Sequence, residues 1–262
     1  NESKGMNIFA NDVMKNKVVL VTGGATGIGK GIASLFGQYG AKVMIASRKE
    51  QVLVSAAKDL QQAGVEADFC VCDIREPAAV EQLMVAVRAR FGGLDILVNN
   101  AAGNFPASIE QLSPNGFKTV VDIDLNGTFN MTKAAFEHFF KSAGGNIINI
   151  SAPFAGWGVA YQAHAAAAKA GIDSLTRSCA VEWQRQGIRV NAVAPGAVID
   201  TEGLERLSDA LAGDAGSTNA CQASDIANCV VFLASDAARF ISGEIIRVDS
   251  ATGVDLLKLP ST

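Results

Sequence analysis

The sequence predicts an α/β fold: one domain built on a doubly wound parallel sheet of about seven strands, with helices on both faces. Three observations carry this. Short apolar runs alternate with helical patterns along the whole 262-residue chain. The runs lack polar alternation, as in strands buried on both faces. A glycine-rich turn joins the first run to the first helix.

Lys17 to Thr22 reads as the first strand and Gly29 to Gly40 as the first helix. Lys42 to Ala46 is the second strand, Lys49 to Ala63 the second helix, and Glu66 to Cys72 the third strand. Pro77 to Phe91 is a long helix stopped by Gly92-Gly93, and Leu94 to Asn99 is the fourth strand. The second half continues with helices through Gly116 to Lys141 and Tyr161 to Gln186. Its strands are Asn146 to Ile150, Arg189 to Val193 and Glu244 to Val248. This order fits a Rossmann-type sheet. Residues 1–16 read as an N-terminal extension and 17–262 as the single domain, with no internal repeat or linker. Asp200 to Gln222 is small, polar and glycine-rich, with a short helical pattern at Leu204 to Leu211. It reads as a substrate lid or as a plain surface loop.

Composition narrows the function. Hydrophobic residues make up 49% and charged residues 18%, which favours a buried core over disorder. A net charge of -4 gives no support to nucleic-acid binding, which usually shows a basic face, although local basic clusters could still bind phosphates. Five cysteines without a Cys-x-x-Cys pair, and two distant histidines, His138 and His164, argue against zinc or a disulfide framework. No apolar run approaches a bilayer span, and no secretory pattern opens the chain. Asn1 to Gly5 read as a remnant ahead of a native start at Met6. The ending Leu259-Pro260-Ser261-Thr262 is not a Ser-Lys-Leu type address. A bacterial cytoplasmic protein and a peroxisomal one lacking its tail both fit.

The turn after the first strand runs Thr22-Gly23-Gly24-Ala25-Thr26-Gly27-Ile28-Gly29. Glycines let backbone approach a pyrophosphate, and the following helix N-terminus offers N–H groups to the anion. In a strand–turn–helix setting this is a dinucleotide site, with Gly23, Ala25, Thr26, Gly27, Ile28 and Gly29 as candidates. An NAD site normally ends the second strand with a carboxylate; here Ser47-Arg48-Lys49 stand there. Two cations and a hydroxyl suit a 2′-phosphate and so NADP(H), with Arg48 supplying the planar fork. The other reading is a solvated start of the second helix.

Together these segments resemble the short-chain dehydrogenase/reductase superfamily. Asn99-Asn100-Ala101-Ala102-Gly103 looks like its Asn-Asn-Ala-Gly motif with one extra alanine. The resemblance implies further cofactor contacts from Asp73 and Ile74, from Asn100, Ala101, Ala102 and Gly103, and from Ser151 and Lys169. It adds the segment Pro195, Gly196, Ala197, Val198, and Thr201. The family's catalytic pattern is Asn, Ser, Tyr and Lys. Lys169 fits the lysine, but four residues earlier stands Ala165 in place of the tyrosine. Seventeen residues earlier stands Ala152, with Ser151 adjacent, and the asparagine has become Asp124. Tyr161 is eight residues before the lysine, two helical turns away and too far to replace the missing acid. His164 points about 100° from Ala165 on a regular helix.

Asp124 and Lys169 are therefore the catalytic candidates, as an acid–base centre or as a structural ion pair. The phrases Asn99 to Phe105, Phe117 to Asp124, His164 to Lys169 and Thr201 to Leu204 resemble 2,4-dienoyl-CoA reductases of the peroxisomal type. Those members also lack the tyrosine. The mitochondrial type uses a tyrosine fifteen residues before the lysine, where this chain has Phe154. The resemblance implies NADPH-dependent reduction of an acyl-CoA substrate contacted by Arg48, Arg75, Phe105, Ser113, Asn115 and Arg206. It also implies a homotetramer built through Thr119 to Lys141 and Gly171 to Trp183. Another enoyl- or acyl-CoA reductase of this fold, or an NADP-binding scaffold without chemistry, are the alternatives.

Overall fold

In a computed structural model, residues 9–199, 201 and 220–251 are described. Seven parallel strands form one sheet in the order β3-β2-β1-β4-β5-β6-β7. They are β1 (Val18–Thr22), β2 (Lys42–Ser47), β3 (Ala67–Val71), β4 (Ile96–Asn99), β5 (Gly145–Ile150), β6 (Ile188–Pro195) and β7 (Ile245–Val248). The expected fold class is the observed one.

Strand β1 shows why the sheet needs two helical layers. Side chains alternate across a strand. Val19 and Val21 enter one core with Ile32, Phe36, Leu53 and Val230. Leu20 enters the other with Leu83, Met84, Met131 and Phe140. Helices α1 (Gly27–Gln38) and α2 (Glu50–Gln62) cover the first face, and α3 (Pro77–Phe91) covers the second. Strand β1 pairs with β2 on one side and with β4 on the other, and the chain crosses from β3 back to β4. Strand order reverses there, and a crevice opens at the strand C-termini.

The helix expected over 116–141 runs from Pro114 to Ala143 with two interruptions. Helices α4 (Pro114–Val121), α5 (Gly127–Ala135) and α6 (Lys141–Ala143) are joined by π turns at Asp122–Asn126 and Phe136–Phe140. The helix expected from Tyr161 begins later, as α7 (Ala163–Trp183). Tyr161 itself has a left-handed backbone, φ 64°, and lies outside the helix. Tyr161 therefore does not stand two helical turns before Lys169, as its spacing predicts. Helix α8 (Ala223–Ala234) was not anticipated. Its apolar residues Ile226, Ala227, Val230 and Val231 keep helical spacing and pack into the first core. A capping box of Gln222 and Asp225 starts it.

Buried polar groups tie the central strands to α5 and α7. Asn99 donates to Thr132 Oγ1 (3.0 Å) and to Asn149 Oδ1 (2.9 Å). Asn149 donates to Thr176 Oγ1 (2.9 Å). No helix among the described residues is long and apolar enough to cross a membrane.

Candidate active site

The turn after β1 is held by shape. Gly23 has φ +64°, and a Cβ there would meet Asn100 Nδ2 at 2.9 Å. A Cβ on Gly29 would lie 2.2 Å from the Gly23 carbonyl oxygen. Only glycine allows this path. Asn100 locks it from β4, donating through Nδ2 to the Thr22 carbonyl (3.0 Å). The Thr22 hydroxyl accepts from the N–H groups of Asn100 and Ala101, both at 3.0 Å.

Beside this turn lies a cleft of about 590 Å³. It is lined by Gly23, Ala25, Thr26, Gly27, Ile28 and Gly29 from the turn, and by Ser47, Arg48 and Lys49 from the end of β2. Asp73, Ile74, Asn100, Ala101, Ala102 and Thr201 complete its expected lining. Ala46, Val52, Cys72 and Ile123 line it too and were not singled out in the sequence. They are apolar or thiol side chains, which carry no motif. Five cysteines are free thiols, and burial pushes the Cys72 thiol up to about 12.

Arg75 faces Asp73 across a fork, with Nε within 3.0 Å of Oδ1 and 3.1 Å of Oδ2. This hydrogen bonding holds the Asp73 carboxyl below its ordinary value. Arg75, expected on the substrate, is thus already paired. Ser113 caps α4, accepting from the Gly116 N–H at 3.0 Å, while the Asn115 carbonyl accepts from Thr119. Arg206 and most of the expected lid lie outside the described residues.

The residues expected around the reacting centre form a second, deeper group. Asp124 sits in the first π turn, where an extra residue per turn is a frequent mark of functional helices. Its carboxylate is 1% exposed. Oδ1 accepts from the Gly103 N–H at 2.7 Å, and Oδ2 lies 3.6 Å from Lys169 Nζ. Lys169 also donates to the Ile150 carbonyl at 2.8 Å. Burial raises the Asp124 pKa above the ordinary carboxylate value, although Lys169 and the Gly103 N–H oppose it. A carboxyl that holds its proton more firmly beside a fixed cation can donate or order a proton. The Thr128 hydroxyl satisfies the Asp124 carbonyl at 2.6 Å, one turn on, a partner the sequence reading overlooked.

Ala165 is 2% exposed, so the position of the absent tyrosine is closed by packing. Ser151 is engaged by a different carboxylate. Its hydroxyl donates to Asp173 at 2.5 Å, and burial raises the Asp173 pKa. Pro195 ends β6, the Gly196 N–H donates to Val248, and Ala197 and Val198 pair with Cys221. None of these four lines the cleft. Among the described residues no group of His, Cys, Asp or Glu could hold a metal ion.

A family model described as enoyl-(acyl carrier protein) reductase matches residues 23–252. The peroxisomal 2,4-dienoyl-CoA reductase [(3E)-enoyl-CoA-producing] of Pongo abelii is 41% identical over 251 residues, covering 92% of this chain and 85% of the relative. A probable 2,4-dienoyl-CoA reductase [(2E)-enoyl-CoA-producing] of Bacillus subtilis is 39% identical, covering 90% and 96%. Among solved structures, the citronellol catabolism dehydrogenase of Pseudomonas aeruginosa PAO1 superposes with a TM-score of 0.83 at 35% identity, covering 94% and 98%. A variant actinorhodin polyketide ketoreductase solved with NADPH gives 0.86 at 30%, covering 91% and 97%. The protein belongs to the short-chain dehydrogenase/reductase family of oxidoreductases and is similar over most of its length to the 2,4-dienoyl-CoA reductases.

Proposed function

We propose that the protein reduces 2,4-dienoyl-CoA to 3-enoyl-CoA with NADPH, in the breakdown of unsaturated fatty acids. The observation that carries this reading is the buried Asp124–Lys169 pair beside a position, Ala165, where a ketone-reducing site keeps a tyrosine.

The cleft fits the cofactor. The glycine turn leaves no room for a Cβ, as close backbone approach to a pyrophosphate demands. Arg48, Lys49 and Ser47 at the end of β2 suit a 2′-phosphate, and Asp73 in the same cleft wall would accept from the adenine. When bound, NADPH supplies a hydride. Lys169 would hold the cofactor ribose, and its ammonium, 3.6 Å from the Asp124 carboxylate, sets the field there.

The chemistry explains the missing tyrosine. Hydride addition to the far end of a conjugated dienoyl thioester spreads negative charge to the thioester oxygen. That oxygen needs stabilisation by donors and charge more than a full proton. The proton goes to carbon, and a water ordered by Asp124 delivers it. A ketone reductase must instead protonate a forming alkoxide. Phe105, 38% exposed beside this centre, gives the acyl group an apolar contact.

The protein assembles as a homotetramer through the rod from α4 to α6 and through α7. Phe129 and Val181 on these helices are 48% and 78% exposed, apolar surface that a partner would cover. Light scattering on the purified protein reads the mass directly; a monomer would remove this part of the reading.

The test is NADPH oxidation at 340 nm with 2,4-hexadienoyl-CoA, followed by identification of the product double bond by NMR. Turnover to the 3-enoyl product is expected. A 2-enoyl product would place the chemistry with the Bacillus relative's named reaction. No turnover on short or long dienoyl chains, with NADPH still bound, would favour a cofactor-binding scaffold.

A further inference from the structure

The segment that follows β4 is fastened to the start of α7 by three side-by-side contacts. Asn104 Nδ2 donates to Gln162 Oε1 at 2.6 Å. The Phe105 ring meets the His164 ring edge to face, centroids 4.7 Å apart. The Ala107 N–H donates to the Tyr161 carbonyl at 3.0 Å. The same segment begins at Gly103, whose N–H holds Asp124.

His164 is the centre of this fastening, and it is fully buried. Its Nδ1 accepts from the Ala165 N–H at 2.7 Å, which puts the proton of the neutral ring on Nε2. Nε2 is enclosed, makes no well-formed hydrogen bond among the described residues, and faces the Phe105 backbone carbonyl. The Phe105 backbone carbonyl attracts the ring's proton, as does the charge on Asp124. Burial outweighs both and keeps the imidazole pKa low, so the ring is neutral at physiological pH. Tyr161 enters this arrangement with φ 64°, a conformation costly for a bulky side chain and maintained only where surroundings impose it.

Building on the reductase reading, we propose that His164 is a positioning residue for Asp124. It clamps the Gly103–Phe105 segment against α7 and so keeps the Gly103 N–H on the carboxylate. A neutral ring does this without adding a second cation beside Lys169.

Amide hydrogen exchange on the NADPH-bound protein tests the clamp without relying on turnover. His164→Leu keeps the volume and removes both nitrogens. Exchange in the segment Asn100 to Ala107 is expected to rise about tenfold, with β1 unchanged. With dienoyl-CoA, kcat falls about tenfold while KM stays within about threefold, because the lost interaction acts on the reacting centre. His164→Gln, which keeps an N–H for the Phe105 backbone carbonyl, restores most of both. If His164→Leu does not fold, Phe105→Leu loosens the same ring contact from the partly exposed side and should give the same rise in exchange over Asn100 to Ala107.

Unchanged exchange in that segment would overturn the proposal. So would an equal rise in β1, which marks a general loss of stability, or a local rise with normal kcat in an active enzyme. Absence of dienoyl turnover in the unmodified protein would sink the reductase reading alone, and the exchange comparison would still decide the clamp.

Discussion

The Asp124 carboxylate lies 3.6 Å from the Lys169 ammonium, yet its pKa is raised because burial outweighs the cation. A pair whose acid stays reluctant to ionise is better suited to handling a proton than to holding a fold together. Replacing Asp124 with Ala should lower kcat on dienoyl-CoA by about 100-fold or more, the scale of a lost proton donor. NADPH affinity, measured by fluorescence titration, should change little. A variant with normal kcat would remove Asp124 from the chemistry.

Arg48 is exposed at the end of β2 and lines the cleft. Arg48→Ala should weaken NADPH binding about tenfold, near 1.4 kcal/mol for one charge-assisted phosphate contact, with little effect on NADH. Parallel Kd measurements for both cofactors check this. An equal loss for both would move the phosphate contact elsewhere.

Gly29→Ala should abolish NADPH binding and lower Tm. Its Cβ would press on backbone, at 2.2 Å from the Gly23 oxygen, where no side chain can yield. Calorimetry with and without NADPH would show both losses.

Ala165→Tyr should not restore a ketone reductase. Ala165 is 2% exposed, and inserting a large ring into packed interior costs about 1–3 kcal/mol. A lower Tm, and no oxidation of NADPH with simple ketones, are expected. Ketone reduction by this variant would show that the acid alone was missing.

Asp173 gives a pH dependence with a definite sign. Its folded-state pKa is raised, chiefly by burial, despite the Ser151 hydroxyl and nearby Arg177, Lys169 and Arg247. The native state therefore holds this proton more tightly than the unfolded chain. Stability is lost as pH rises from the ordinary carboxylate value, about 3.9, toward the raised one. Asp173→Asn should melt with the unmodified protein at low pH and above it at neutral pH. A Tm difference that does not vary with pH would contradict the raised value.

The sheet and the glycine turn were legible because both are local. Valine and leucine runs without alternation can only be strands covered twice, and glycines between strand and helix have few other uses. Helix α8 carried equally clear spacing but followed a polar stretch that drew attention to a lid. The catalytic pair was legible as an absence, Ala165, together with a retained lysine. Its surroundings were not. The Ser151 hydroxyl meets Asp173, a partner 22 residues on that no local spacing shows. The tie between Tyr161 and Ala107 joins residues far apart in sequence, through a backbone angle that no propensity foretells.

The first π turn has a consequence for how this site can change over time. A π turn is an α-helical turn carrying one residue too many, and it persists only while the neighbours accept the bulge. Here Thr128 takes up the Asp124 carbonyl, and Ile74 packs where a Cβ on Gly127 would stand. Deleting one residue between Asp122 and Asn126 would let the rod close into a regular helix. Everything before the deletion would then swing by about 100° relative to α5. Substitutions can tune this centre in small steps, whereas a single-codon deletion would remove it in one. The register of the rod is thus a hereditary constraint as strict as the identity of the aspartate it carries.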